Sequence, residues 1–196
     1  RAAARSGDSD GVTAGVAVHA GTVRGGGHTP EPREGPNGPT GHEDHVVRLV
    51  ALNVAVVARG ALARVCRLDV AIDDTHLATF IADGLVVASP TGSTGYSFSA
   101  GGPILDPSAR NLIVTPIAAY LSAIRSVVVG PNQVVRCTVV DANEALVSID
   151  GREDLPLAVG DVVEVRAFER PIRLIEPFGA QPFWDLLQHK VALLPS

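Results

Sequence analysis

The sequence predicts a mainly β protein, folded as a sandwich of short strands with two helices. From Val46 onward, short apolar segments recur at close spacing, and turn residues such as Gly130-Pro131-Asn132 separate them. Helical patterns are few by comparison. Many short strands at close spacing favour a sandwich or barrel over a doubly wound parallel sheet.

Each predicted element has its own signal. Cys66, Leu68, Val70 and Ile72 alternate with Arg67, Asp69 and Asp73, as in a half-buried strand, and Asp73-Asp74 turns the chain into residues 76–82 to make a hairpin. Residues 85–88 are apolar throughout, which predicts a short buried strand. The other predicted strands are residues 46–50, 54–58, 112–115, 126–129, 134–140, 145–149, 162–167 and 172–175. A C-terminal helix is predicted from apolar side chains at helical spacing, namely Phe183, Leu186, Leu187, Val191 and Leu194.

The N-terminal segment 1–45 differs from the rest of the chain. Its density of Gly and Pro, as in Gly25-Gly26-Gly27, predicts an irregular or flexible segment, apart from one short apolar stretch at residues 12–20 that could form a strand. The ordered domain is predicted to cover residues 46–196. The chain has no Met, so we expect a fragment or a processed product with sequence missing upstream.

The overall composition excludes some classes of function. A net charge of −5 lacks the basic surface that nucleic-acid binding needs, and no apolar run approaches the roughly 20 residues of a membrane span. Cys66 and Cys137 sit among alternating apolar residues, so we expect buried free thiols and a cytoplasmic protein. The run His42-Glu43-Asp44-His45 lacks the spacing of a structural zinc site and is interpreted as solvated charge, so no metal ligand is assigned.

The segment 83–102 is the strongest candidate for a functional site. An apolar strand leads into Thr91-Gly92-Ser93-Thr94, where bare backbone N–H groups and hydroxyls could converge on a ligand. Ser93 or Thr94 is a natural N-cap for a helix over residues 95–100, and Gly92 permits a close backbone approach. Tyr96 could add a stacking face. Composition alone leaves open a capped helix that binds nothing.

The residues from Thr91 to Pro103, Thr-Gly-Ser-Thr-Gly-Tyr-Ser-Phe-Ser-Ala-Gly-Gly-Pro, closely resemble a signature of the NAD kinase (ATP/polyphosphate-NAD kinase) family. The family usually has Ala where Gly95 stands. In that family the loop contacts NAD. The resemblance therefore implies NAD-binding roles for Thr91, Ser93, Thr94, Gly95, Tyr96 and Ser99.

Further resemblances to the family extend over roughly residues 46–196. They imply dinucleotide contacts for Asp83 of Asp83-Gly84, Asn53 of Ala51-Leu52-Asn53, Tyr120 after Thr115-Pro116-Ile117, and Asp150 of Asp150-Gly151. Two departures stand out: Val54 replaces the acid that usually follows the Asn, and Tyr120 stands where the family often has His. Both Asp-Gly pairs are equally well explained as turns, and Asn53 as a strand-edge residue.

The resemblance implies the β-rich C-terminal domain of an NAD kinase. The family transfers phosphate from ATP, or polyphosphate, to the 2′-hydroxyl of the adenosine ribose of NAD, giving NADP, with Mg²⁺ or another divalent metal accompanying ATP. Its members tend to be homodimers or homotetramers whose sites can be shared between subunits. The family's Gly-Gly-Asp-Gly motif is absent from this sequence, so the catalytic residue is left unassigned and the chain alone is expected to turn over poorly.

Three other functions stay open at this point. A non-catalytic dinucleotide-binding module is favoured by Val54 and Tyr120. A lipid kinase of the diacylglycerol and sphingosine kinase group would share the two-part plan of the NAD kinases. A purely structural β domain would bind no dinucleotide at all.

Overall fold

A computed structural model describes residues 11–13, 16–21, 46–60, 65–169, 172–174 and 179–192. The described strands are β1 (Gly11–Thr13), β2 (Val16–Gly21), β3 (Val46–Ala51), β4 (Val54–Arg59), β5 (Cys66–Ile72), β6 (Thr75–Ala82), β7 (Gly84–Ala88), β8 (Leu112–Ile117), β9 (Val127–Val129), β10 (Val134–Asp141), β11 (Ala145–Ile149), β12 (Glu153–Leu157), β13 (Val162–Ala167) and β14 (Ile172–Leu174). A 3-10 helix covers Thr91–Thr94, and the α-helices are α1 (Tyr96–Ser99) and α2 (Phe183–Ala192).

The described strands form a sandwich of two antiparallel sheets. The first sheet has the strand order β3-β2-β13-β10-β5-β6, and the second has the order β12-β11-β4-β7-β8-β9. β1 and β14 pair separately as a two-stranded ribbon. This mainly β architecture confirms the fold class that the sequence predicts.

Alternating side chains from the two sheets fill the core between them. Buried residues of the first sheet include Leu68, Val70, Val135, Cys137 and Val163, and those of the second include Val57, Leu85, Val87, Leu112 and Val147. Full burial of such aliphatic side chains contributes about 1.5–3 kcal/mol each. β7 is buried on both faces, because Val86 and Ala88 join Ile113 in a smaller cluster on the outer side of the second sheet. Both cysteines are buried and free, as predicted.

Most predicted elements lie within a residue or two of the observed ones, including the β5–β6 hairpin and the C-terminal helix. β12 was not predicted. It is an edge strand of the second sheet, where Pro156 and acidic residues are tolerated because one side of the strand makes no ladder bonds. No helix in the described part of the chain is long and apolar enough to cross a membrane.

β2 falls in the apolar stretch 12–20 for which a strand was considered possible. It lies between β3 and β13, so the first sheet includes residues from before the domain boundary predicted at residue 46. The glycine run 25–27 and the acidic and histidine run 42–45 lie outside the described residues.

The register of the second sheet fixes which of its loops meet. Val54 pairs with Ala88 and Ala55 with Ile149, so the chain segments beyond these residues emerge together at one end, called here the loop end. Gly84 pairs with Ala58 and with Ile117 at the opposite, far end. The five residues of β7 separate the two ends by about 17 Å.

Candidate functional site

An open cleft of about 330 Å³ lies at the loop end of the second sheet. Its volume is at the lower end of the range for small-molecule sites. The turn between β3 and β4, the loop after β7 and the turn between β11 and β12 form its walls. The lining residues are Asn53, Val54, Thr91, Gly92, Thr94, Gly95, Tyr96 and Asp150.

Asp150 fastens the β3–β4 turn from one side. Its carboxylate accepts hydrogen bonds from three backbone N–H groups: Leu52 at 2.7 Å, Asn53 at 2.9 Å and Val54 at 2.8 Å. Asp150 has φ +50° and Gly151 has φ +65°, which suits the short Asp-Gly turn between β11 and β12. Charge-assisted bonds of this kind are among the stronger ones in proteins, so the turn is held firmly.

Ser89 fastens the same turn from the other side. Its hydroxyl donates to the carbonyl of Leu52 at 2.7 Å and accepts from the N–H of Gly92 at 3.1 Å. Its backbone N–H donates to the carbonyl of Asn53 at 2.8 Å. Ser89 is a site residue that the sequence did not predict. The available signal was a small hydroxyl residue at the point where a buried strand meets Pro90.

Gly92 makes the closest approach between the loop and the turn. A Cβ atom built on Gly92 would lie 2.2 Å from the carbonyl oxygen of Asn53 and 2.9 Å from its Cα. The close approach predicted at this glycine is therefore made to the backbone of Asn53. The glycine brings the loop and the turn together into one wall of the cleft.

The prediction that backbone N–H groups of the loop are left without partners and converge on a ligand is wrong for much of the loop. The N–H groups of Gly92, Ser93 and Gly95 donate within the loop itself, to Ser89 Oγ, to the carbonyl of Pro90 and to the carbonyl of Gly92. The reason is that Pro90 begins a tight 3-10 turn, which uses these donors internally.

The predicted N-cap is also wrong. α1 begins at Tyr96, is preceded by Gly95, and has no side-chain cap. The buried hydroxyl of Ser93 instead donates to the carbonyl of Pro90 at 2.6 Å and accepts from the N–H of Leu105 at 3.0 Å. Ser93 thus anchors the loop behind the cleft and does not line it.

The groups that face the cleft are mostly uncharged. The hydroxyl oxygen of Thr91 is buried and has no hydrogen-bond partner among the described residues. No described residue forms a hydrogen bond with the side-chain amide of Asn53. Tyr96 is 49% exposed, and Thr94 is also exposed. Donors, acceptors and one aromatic ring therefore surround a space that suits a neutral polar group.

Two predicted site residues lie at the far end of the second sheet. Asp83 precedes β7, and its Oδ1 forms an ion pair with Arg59 Nε at 2.8 Å. Tyr120 follows β8 and is 67% exposed, and its N–H donates to the carbonyl of Ile81. Within one chain the fold brings neither of them to the cleft. Ser99 lies at the end of α1, outside the residues that line the cleft.

The described residues do not fit a metal site at the cleft. A Mg²⁺ ion prefers oxygen ligands, and both oxygens of Asp150 already accept backbone N–H groups. No group of three or more His, Cys, Asp or Glu residues in the described ranges is placed to hold a metal ion.

Fold and site together define a β-sandwich domain with an open cleft at a Gly/Ser/Thr-rich loop. The comparisons give this class its family. Residues 52–177 match the model of the ATP-NAD kinase C-terminal domain, and the chain belongs to that family.

Individual relatives agree with this assignment. An NAD kinase from Moorella thermoacetica is 42% identical over 142 residues, which are 72% of this chain and 45% of that protein. An NAD kinase from Caldanaerobacter subterraneus subsp. tengcongensis is 37% identical over 147 residues, 74% of this chain and 52% of the relative. The chain thus spans about half the length of the curated relatives it matches.

Solved structures show the same fold. The crystal structure of an Archaeoglobus fulgidus NAD kinase in complex with ATP matches with a TM-score of 0.65 and 26% identity, over 74% of this chain and 55% of that chain. The yeast NADH kinase complexed with NADH matches with a TM-score of 0.77 over 94% of this chain and 49% of that chain. At 22% identity the yeast match supports the fold alone.

Proposed function

We propose that this chain is the dinucleotide-binding half of an NAD kinase. The complete enzyme would transfer a phosphoryl group from ATP, or from polyphosphate, to the 2′-hydroxyl of the adenosine ribose of NAD and so form NADP. The observation that supports this most directly is the cleft, where Asn53 of the β3–β4 turn meets Thr91 and Tyr96 of the loop after β7, although the turn and the loop lie far apart in sequence. Family membership supports the reaction class.

In this proposal the chain binds and orients NAD, and another part of the enzyme activates the hydroxyl. The amide of Asn53 can hydrogen-bond a ribose or a base edge, and Tyr96 can stack on a base. The carboxylate of Asp150 accepts three backbone N–H groups, so in this proposal its role is to hold the turn that carries Asn53. When bound with ATP, Mg²⁺ would supply charge neutralisation at the phosphates, and no residue of this cleft is assigned to hold it.

The two far-end residues fit an oligomer. If Asp83 and Tyr120 contact the dinucleotide, they must do so from a second copy of the chain, because β7 separates them from the cleft of their own copy. We therefore propose a homodimer or homotetramer. The buried, unpaired thiols of Cys66 and Cys137 agree with a reducing, cytoplasmic location.

A non-catalytic dinucleotide-binding module is the second candidate. Val54 lines the cleft with an apolar side chain, and the carboxylate at the cleft, Asp150, is occupied by backbone N–H groups. Such a cleft can bind a dinucleotide without assisting phosphoryl transfer. A lipid kinase or a purely structural domain finds no comparable support in this cleft.

The test measures NAD binding by calorimetry for the unaltered chain and for two matched variants. Tyr96→Ala should weaken NAD binding about tenfold, since stacking of a base on an aromatic ring contributes about 1–3 kcal/mol. Phe98→Ala removes a similarly exposed ring from the same helix outside the cleft and should leave the affinity unchanged. Absence of NAD binding by the unaltered chain would overturn the proposal.

A chimera separates the kinase from the non-catalytic module. Residues 16–196, which include β2 of the first sheet, would replace the matching part of the Moorella thermoacetica NAD kinase, and a coupled dehydrogenase assay would measure NADP formation. NADP synthesis by the chimera supports the kinase. NAD binding by the chimera without NADP synthesis supports the module.

A further inference from the structure

We infer that Ser89 is a positioning residue of the cleft, whose hydroxyl fixes the backbone that presents Asn53 to the ligand. The inference rests on the proposed function, because it takes a pyridine dinucleotide as that ligand. Ser89 is fully buried, at 0% exposure, so it does not touch the ligand and acts through its neighbours.

The hydrogen bonds of Ser89 join two separate segments. The hydroxyl donates to Leu52 and accepts from Gly92, which makes it the link between the β3–β4 turn and the loop 37 residues further along the chain. The backbone N–H of Ser89 adds a third bond, to the carbonyl of Asn53. A hydroxyl that donates and accepts at once is well suited to such a link.

The direction of the Asn53 side chain depends on this backbone. In the described part of the chain no side chain or carbonyl holds its amide, so the backbone of Asn53 is what sets the point and the direction from which the side chain enters the cleft. Asp150 fixes the N–H groups of the turn, and Ser89 fixes the carbonyls of Leu52 and Asn53. Asp150 therefore holds the hydrogen-bond donors of the turn, and Ser89 holds its acceptors.

Loss of the hydroxyl should therefore loosen the turn as well as reduce stability. Without it, the carbonyl of Leu52 and the N–H of Gly92 lose their partner in a buried place, an unfavourable state that local movement would relieve. That movement would displace Asn53 and Gly92, both of which line the cleft.

The experiment compares three variants of the 196-residue chain with the unaltered chain. Ser89→Ala removes the hydroxyl. Ser89→Cys keeps a side chain of similar shape but with a weak donor and acceptor. Ser126→Ala is the matched control, because Ser126 Oγ also bridges two groups, Thr115 Oγ1 and the carbonyl of Val114, away from the cleft. The readouts are the NAD dissociation constant, the melting temperature and hydrogen exchange of the Asn53 and Val54 amides.

We expect Ser89→Ala and Ser89→Cys to weaken NAD binding about tenfold and to speed amide exchange at Asn53 and Val54. Ser126→Ala should lower the melting temperature while leaving both other readouts unchanged. Unchanged NAD affinity in Ser89→Ala overturns the inference, and so does unchanged exchange. If the unaltered chain binds no NAD, the proposed function fails, and the exchange comparison alone decides whether Ser89 holds the turn.

Discussion

Two hairpin turns of this sandwich share one design, and only one of them borders the cleft. Asp73 follows β5 with φ +55°, and Asp150 follows β11 with φ +50°. Asp73 donates its N–H to the carbonyl of Val134 at 2.7 Å and accepts the N–H of Val134 with its carboxylate at 2.9 Å. Asp150 makes the same exchange with Val54, at 3.0 and 2.8 Å. In each case the partner is the first residue of the neighbouring strand.

At both turns the Asp donates its backbone N–H to one residue of the neighbouring strand and accepts the N–H of the same residue with its carboxylate. This pair of hydrogen bonds closes a strand pair and needs no ligand to explain it. The difference lies in what the second oxygen holds. At Asp73 it accepts from the side-chain amide of Gln133 at 3.2 Å. At Asp150 it accepts from the backbone of Leu52, beside Asn53 and the cleft. The same turn geometry thus becomes part of the cleft because a loop packs next to it.

The largest expected effect comes from removing each carboxylate in turn. Asp150→Ala leaves the N–H groups of Leu52, Asn53 and Val54 without their partner, so we expect a loss of about 3 kcal/mol in the free energy of unfolding. NAD affinity should fall below detection, because the turn that holds Asn53 is freed. Asp73→Ala should destabilise the chain less and leave NAD affinity unchanged. Urea unfolding and calorimetry check both results.

Equal loss of NAD affinity in the two alanine variants would break the comparison, since it would mean that general destabilisation is the cause. Unchanged affinity in Asp150→Ala would show that the turn does not need this carboxylate to present Asn53.

A second, smaller effect is expected inside the loop, at two glycines. Gly92→Ala places a methyl group 2.2 Å from the carbonyl oxygen of Asn53, so the loop must move away from the turn. We expect NAD affinity to fall at least about tenfold, with partial loss of stability. Gly95→Ala meets only an ordinary contact at 3.5 Å and should change neither quantity. Thermal unfolding and calorimetry measure both.

Equal tolerance of the two alanines would contradict the close packing of the loop on Asn53. The Asp73 turn lacks this packing. The two glycine variants therefore test whether the packing of the loop is what makes the Asp150 turn part of the cleft.

The strands could be predicted from the sequence because their burial alternates with a period of two. Residues 66–70 are an example: Cys66, Leu68 and Val70 are buried, and Arg67 and Asp69 between them are not. β12 escaped prediction because it is an edge strand whose Pro156 contradicts the usual pattern.

The site was only partly predictable, because its parts are joined by hydrogen bonds over long sequence separations. The motif around Thr91 and Tyr96 located the loop, but the bonds of Ser89 to Leu52 and of Asp150 to Asn53 span 37 and 97 residues. The register of the strands decides such pairs. The same register places Asp83 and Tyr120 at the far end, which motif resemblance alone does not reveal.

The smallest expected effect is a pH dependence at the turn that does not border the cleft. The N–H of Val134, followed by the amide of Gln133, lowers the pKa of the Asp73 carboxyl below its ordinary value of 3.8. A lowered pKa means that the ionised form stabilises the folded state. This contribution is complete above pH 3.8 and is lost as the pH falls through the folded-state pKa.

Asp73→Asn tests this prediction, because Asn tolerates a positive φ but carries no titrating group. Melting temperatures measured from about pH 5 downward should fall less steeply below pH 3.8 in the variant than in the unaltered chain. NAD affinity at neutral pH should be the same in both, since the Asp73 carboxylate accepts from Val134 and Gln133, which do not line the cleft. Because Asn cannot ionise, an unchanged slope would assign the acid sensitivity to other carboxyls. A change in NAD affinity would show that the two turns are coupled. It would contradict the expectation that only the Asp150 turn affects the cleft.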